Sequence, residues 1–176
     1  MKNKKIVIHL AGNSCTGKST IARALSKEVE NLYTISYDKL KWQLTNYNRD
    51  EHKPLIKKLA RGFFNVVCNE GLPILLDAFI VDEKEYNCYL EIAKKNNYKF
   101  VSFKLTTHKN ILIKRFRERV KSAKKQKIRI SITDENLFLE NSLKEFYTPK
   151  NTLILDTSKS SLRKTTNKII KVINKK

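Results

Sequence analysis

Residues 12–19 read Gly12-Asn13-Ser14-Cys15-Thr16-Gly17-Lys18-Ser19, the pattern G-x-x-x-x-G-K-[ST]. The apolar run Ile6-Val7-Ile8-His9-Leu10 leads into it, and Ile21, Leu25 and Val29 leave it at helical spacing. A strand that breaks at a glycine loop and resumes as a helix permits few architectures, because the helix must pack back on the strand it follows. The whole chain has only four glycines, and this loop uses two of them.

Two residues without Cβ let the main chain curl until successive N–H groups converge on an anion. The following helix adds unpaired N-terminal donors and the positive end of its dipole. Lys18 is then expected to reach the β- and γ-phosphates of a nucleotide, and the Ser19 hydroxyl to hold Mg²⁺. The expected nucleotide-binding segment comprises Gly12, Asn13, Ser14, Cys15, Thr16, Gly17, Lys18, Ser19 and Thr20. Cys15 fills a variable position of the pattern.

The 176 residues suit a single domain over 1–176, with 40% hydrophobic and 31% charged residues as expected of a soluble globular chain. No apolar stretch approaches the roughly 20 residues of a membrane span. The basic start, Met1-Lys2-Asn3-Lys4-Lys5, runs into only five apolar residues, which reads as a first strand and not a signal peptide. Cys15, Cys68 and Cys88 are odd in number and lack metal-ligand spacing, which points to a reducing compartment and a cytoplasmic protein. His9, His52 and His108 show no ligand spacing either.

The formal net charge is +20. One reading is a compositional bias toward lysine on solvated faces, which the small share of arginine favours: eight of 37 basic residues. The other is a polyanionic partner, nucleic acid or a phosphorylated acceptor, since the charge is clustered. Residues 114–129 hold nine basic residues against Glu118, and residues 159–176 hold seven with no acid.

Five short runs rich in β-branched and aromatic residues alternate with longer helical patterns. Strands are expected at 5–10, 33–36, 74–77, 99–105 and 152–156. Helices are expected near 18–29, 51–69, 83–96, 109–122, 134–146 and 162–173, with Thr107 and Thr133 as N-caps. Alternation of this kind implies an α/β fold with a parallel sheet between helices, and ligands beyond the carboxyl ends of the strands. Gly12, Asp38, Asp77 and Asp156 all fall at such ends.

Asp77 closes Ile74-Leu75-Leu76-Asp77, the pattern of a Mg²⁺ carboxylate beside a phosphate loop, although a turn or cap residue reads the same way. Ala78 follows where a motor ATPase needs a water-activating glutamate, and no N-K-x-D or D-x-x-G motif of a GTPase is present. The pattern therefore favours transfer to a bound acceptor. Asp38 lies just past the second strand, placed to orient an acceptor hydroxyl and take its proton, or to cap a helix. Lys41 shares its face one turn on and could hold a charged acceptor group. Trp42 reads either as a stacking wall for the acceptor or as core. Arg115 and Arg119 fall on adjoining turns of one helical face, suited to clamp a transferred phosphoryl group or simply to be solvated. Residues 121–132 are charged and poor in core positions, as expected of a mobile lid; with the arginines it would cover about 115–132.

These motifs resemble small P-loop kinases, relatives of gluconate, shikimate and adenylylsulfate kinases and of the kinase domain of polynucleotide 5′-hydroxyl kinase. The resemblance extends over nearly the whole chain. It implies a five-stranded parallel sheet in order 2-3-1-4-5, ATP with Mg²⁺, and a flexible arginine lid. In that family Lys18 and Ser19 match the loop's working positions, and Asp38 matches the acceptor-side carboxylate. Lys41 stands where polynucleotide kinases place a basic residue on the acceptor's phosphate, though as lysine and not arginine. Arg119 matches the lid arginine on the donor phosphates, and the segment Thr157–Lys159, with Thr157 and Ser158, would lie near the adenine. The expected activity is ATP- and Mg²⁺-dependent transfer of the γ-phosphate to a hydroxyl of a metabolite, nucleotide or nucleic-acid end. The alternative is a nucleotide-binding regulator or slow ATPase without an acceptor.

Overall fold

The computed structural model describes residues 4–175. Its strands are β1 (Ile6–Ala11), β2 (Tyr33–Ser36), β3 (Ile74–Asp77), β4 (Lys99–Thr106) and β5 (Leu153–Asp156). They form one sheet in the order β2-β3-β1-β4-β5 with every pairing parallel. The helices are α1 (Lys18–Glu28), α2 (Tyr37–Lys41), α3 (Arg49–Asn69), α4 (Glu83–Lys95), α5 (Lys109–Gln126), α6 (Glu135–Ser142) and α7 (Leu162–Asn174). This is the three-layer P-loop fold that the resemblance implied.

β1 is buried at every position because β3 and β4 flank it on both sides. A strand so placed reads as a continuous apolar run and not as an alternation. Its side chains nonetheless divide between two faces. Val7 joins Phe64, Val67 and Tyr89 beneath α3 and α4, while Ile6, Ile8 and Leu10 join Leu25 and Ile169 beneath α1 and α7. Fully burying each of these side chains contributes roughly 1.5–3 kcal/mol. A third, smaller cluster of Leu112, Phe116 and Phe138 ties α5 to α6 at the rim. The Phe116 and Phe138 rings stack there, with centroids 4.1 Å apart.

Several boundaries differ from the sequence expectation. α5 runs on to Gln126 and ends at Lys127, whose φ of 52° breaks the helix. α6 stops at Ser142, and α2 forms a separate turn that the sequence pattern did not resolve. The caps are one residue later than expected. His108, not Thr107, precedes α5 and makes no side-chain cap bond. Thr107 Oγ1 donates backward to the Thr106 carbonyl instead. Asp134, not Thr133, caps α6 by accepting from the Leu137 amide at 2.8 Å.

His9 is the one residue of β1 that breaks its apolar run. It is buried beside the Tyr86 and Phe100 rings, its Nδ1 3.2 Å from Ser102 Oγ. Burial lowers its pKa from the ordinary 6.5 to about 4, so the ring is neutral in the folded protein. Between those values the unfolded chain binds more protons than the folded one. Stability from this site is therefore intact above pH 6.5 and lost as the pH falls toward 4, by on the order of 3 kcal/mol. Urea unfolding between those pH values should show wild type weakening on acidification relative to His9→Leu. Parallel pH profiles for the two proteins would refute this.

Candidate active site

The carboxyl ends of β1, β2 and β3 meet at one rim, with Ser36 in register beside Asp77. From β1 the chain enters the glycine loop. Gly12 has φ 143° and Gly17 φ 96°, while Cys15 takes the left-handed conformation at φ 64°. A Cβ on Gly12 would lie 2.7 Å from the Leu105 carbonyl oxygen and 2.9 Å from Thr16 Oγ1. The first glycine is thus required by backbone conformation and by the close approach of β4.

The loop is built around unused donors. Among the described residues, the amides of Ser14, Cys15, Gly17, Lys18 and Ser19 meet no protein acceptor, whereas the Thr16 amide donates to the Asn13 carbonyl. The Thr20 and Ile21 amides both donate to the Gly17 carbonyl. Five free N–H groups on one bend at a helix N-terminus form a concavity suited to an anion. Thr16 Oγ1 reinforces the bend by donating to the Asn13 carbonyl at 2.8 Å.

Lys18 folds back over this concavity and donates to the carbonyls of Gly12 (2.6 Å) and Asn13 (3.0 Å). Burial pushes its pKa down, and the charges of Asp77 and then Asp38 oppose that shift. Asp77 shows the reverse: burial raises its pKa, Lys18 lowers it, and Asp38 raises it again. Ser36 Oγ donates to Asp77 Oδ2 at 3.4 Å. Lys18 and Asp77 thus share a desolvated rim, and the charge of the exposed Asp38 acts on both. The Ser19 hydroxyl is exposed at the same loop. One hydroxyl and one carboxylate suit Mg²⁺, which keeps several waters and takes its remaining oxygens from substrate phosphates. Among the described residues no cluster of three or more His, Cys, Asp or Glu offers a metal cage by itself.

Arg115 and Arg119 both reach the loop from α5, with different partners. Arg119 Nη1 donates to Ser14 Oγ at 3.0 Å and remains exposed. Arg115 Nη1 donates to Thr157 Oγ1 (3.0 Å) and the Cys15 carbonyl (3.4 Å), and Nη2 to the Thr157 carbonyl (3.0 Å). The Thr157 hydroxyl is buried and donates to the Thr16 carbonyl at 2.9 Å. Arg115 and Thr157 therefore brace the loop against the end of β5. Ser158 turns toward Asp156, donating through both its amide and its hydroxyl.

On the β2 side, Asp38 is exposed and ion-paired with Lys41. Lys41 Nζ also donates to Ser131 Oγ at 2.8 Å and lies 4.7 Å from the Trp42 ring centroid. The Arg129 guanidinium stands 4.5 Å from that ring. Trp42 is half-buried and belongs to none of the three apolar clusters, so it is not core. Residues 127–134 thus reach across to the β2 edge, and Asp38, Lys41, Trp42, Arg129 and Ser131 form one group.

The sequence from residue 7 to residue 136 matches the AAA domain family. The chain belongs to that family. No curated protein matches the chain in sequence. Solved structures show the same fold. A candidate kinase from Chloroflexus aurantiacus superposes with a TM-score of 0.72 at 14% identity, over 97% of this chain and 98% of that one. An APS kinase from Mycobacterium tuberculosis, in complex with AMPPNP and APS, gives 0.67 at 13% identity over 98% and 99%. A gluconokinase from Sinorhizobium meliloti gives 0.61 at 13% identity over 97% and 93%.

Within this AAA domain, some site neighbours left no trace in the sequence. Arg129 and Ser131 sit in a basic stretch with no pattern to single them out. Asn13 Nδ2 donates to the Ser142 carbonyl at 2.5 Å, placing the end of α6 against the loop. Beneath Asp38, Tyr37 Oη donates to Glu85 Oε1 at 2.5 Å and lies 2.9 Å from Tyr89 Oη, while Lys57 Nζ donates to Glu85 Oε2 at 2.6 Å. Burial raises the pKa of both phenols, so they stay protonated. This network pins the residue before Asp38 to α3 and α4. Its members are too far apart in sequence for local spacing to reveal.

Proposed function

We propose that the chain is an ATP- and Mg²⁺-dependent phosphotransferase that moves the γ-phosphate to a hydroxyl acceptor. The observation that carries this reading is the shared rim. Five free amides and Lys18 stand at the end of β1, Asp77 at the end of β3, and Asp38 with Lys41 and Trp42 past β2. A phosphate cradle next to a carboxylate with open access is the arrangement that transfer to an acceptor needs. The kinases that share this fold support it.

Bound MgATP would supply the phosphoryl group. The loop amides would fix its oxygens without reorganising, which is where most of the rate gain in such reactions arises. Lys18 would exchange the Gly12 and Asn13 carbonyls for phosphate, and Ser19 and Asp77 would hold the metal. Asp38 would orient the acceptor hydroxyl and receive its proton, and Arg119 would offset charge on the donor phosphates. Lys41 and Trp42 would meet the acceptor, with the expected lid of about 115–132 closing over it through the part that follows α5. Free thiols at Cys15, Cys68 and Cys88 suit a reducing compartment, and we place the activity in the cytoplasm. Among the described residues no helix is long and apolar enough to cross a membrane.

A screen of hydroxyl compounds, nucleosides, nucleotides and oligonucleotide ends with γ-labelled ATP tests the reading directly. The expected result is a labelled product and ATP consumption that rises only with a particular acceptor. Acceptor-independent hydrolysis across the whole panel would overturn it in favour of a slow ATPase.

A further inference from the structure

The second edge of the sheet carries a feature that the proposed reaction does not use. β5 is the outer strand on that side, opposite β2 and the group around Asp38. Between β5 and α7 runs an open groove of about 830 Å³ whose lining includes Ile154, Lys159, Arg163, Lys164, Lys168 and Lys171. We propose that this groove binds the phosphate backbone of a single-stranded nucleic acid.

The helix explains how the cations come together. α7 buries Thr165, Thr166, Ile169 and Ile173 against the sheet. Lys164, Lys168 and Lys171 follow one another at i, i+4 and i+7, so they share a stripe of the helix. Along the axis they are about 6 and 4.5 Å apart. Spacings of that size let flexible ammonium groups follow consecutive phosphates of one strand.

The charges are also uncompensated. Arg163, Lys164, Lys168 and Lys171 are exposed, and among the described residues their side chains make no ion pair or hydrogen bond. Two helical cations elsewhere do pair with acids, Lys57 with Glu85 and Arg117 with Glu135. Asp156 also lines the groove; its carboxylate accepts from the amide and hydroxyl of Ser158 and pairs with Lys159 at 3.9 Å, so among the described residues Lys159 is the one compensated cation of the lining. A lysine-rich composition accounts for many unpaired lysines, not for their gathering along one concave trough. Concave walls focus the field of like charges on whatever lies between them. A trough also suits a strand laid along it better than a flat bilayer. Ile154, 62% exposed on β5, offers apolar surface to a base.

Fluorescence anisotropy with a labelled single-stranded RNA, titrated between about 50 and 200 mM salt, tests the proposal. Wild type should bind with log Kd steeply dependent on log salt. The triple variant Lys164→Gln, Lys168→Gln, Lys171→Gln should bind more weakly, its slope smaller by about 2, at about 0.7 per lost single-strand contact. A charge-matched control on α4, Lys84→Gln, Lys94→Gln, Lys95→Gln, should bind as wild type does. Lys18→Ala should also bind RNA normally, which separates this groove from the phosphate loop. Matching thermal melts establish that each variant is folded. Equal losses in groove and control variants would overturn the proposal, as would no loss in either. So would binding to phosphatidylserine vesicles through these lysines without binding to the oligonucleotide.

Discussion

Lys18→Ala is expected to lower turnover by at least about 10²–10³-fold, the cost of removing one donor aimed at developing charge. The structure explains why the loss should fall on the reaction and not on the fold. The ammonium is desolvated, its pKa is pushed down by burial, and its partners are two loop carbonyls at 2.6 and 3.0 Å. Those carbonyls hold the side chain in readiness, and removing it takes an unfavourably placed charge out of the interior. The thermal midpoint should therefore stay within a few degrees of wild type. Lys18→Arg should not rescue activity, because a planar fork cannot replace a compact ammonium at this position. Steady-state assays with the acceptor from the screen, together with a thermal melt, check both halves. Wild-type turnover in Lys18→Ala would remove the lysine from the mechanism.

Asp38→Asn is expected to reduce kcat by about 10²–10⁴-fold, the usual contribution of a positioned general base. Asparagine preserves the shape but has no charge to receive a proton. Asp38 is exposed and paired with Lys41, so the fold does not depend on it. Nucleotide affinity should be unchanged, because the loop amides and Lys18 remain in place. Lys41→Met should instead raise KM for a charged acceptor while leaving kcat for a saturating one closer to wild type. The two variants separate a chemical role from a binding role. A variant at position 38 that keeps full activity toward the true acceptor would end the base assignment.

The glycine loop was legible because its requirements are local. Gly12 and Gly17 answer to backbone angles, and Lys18 and Ser19 stand at fixed offsets from them. Asp77 was legible for a related reason, since it closes a short apolar run, and Asp38 because it lies just past the second strand. The ambiguity at Trp42 could not be resolved that way. Whether it belonged to the core depended on Arg129, 87 positions away in the chain, and the structure places that guanidinium on its ring. Arg115 and Arg119 read as an equivalent pair on one helical face. In the folded protein one braces Thr157 and the loop, while the other stays exposed at Ser14.

The order of elements, the phosphate loop and the parallel sheet follow from residues adjacent in the chain, where periodicity and backbone conformation act over a few positions. The grouping of Asp38, Lys41, Trp42, Arg129 and Ser131, the brace from Arg115 to Thr157 and the Tyr37–Glu85–Lys57 network came only with the tertiary structure. Each joins side chains whose meeting depends on how helices pack across the sheet, and packing is settled by the whole core at once.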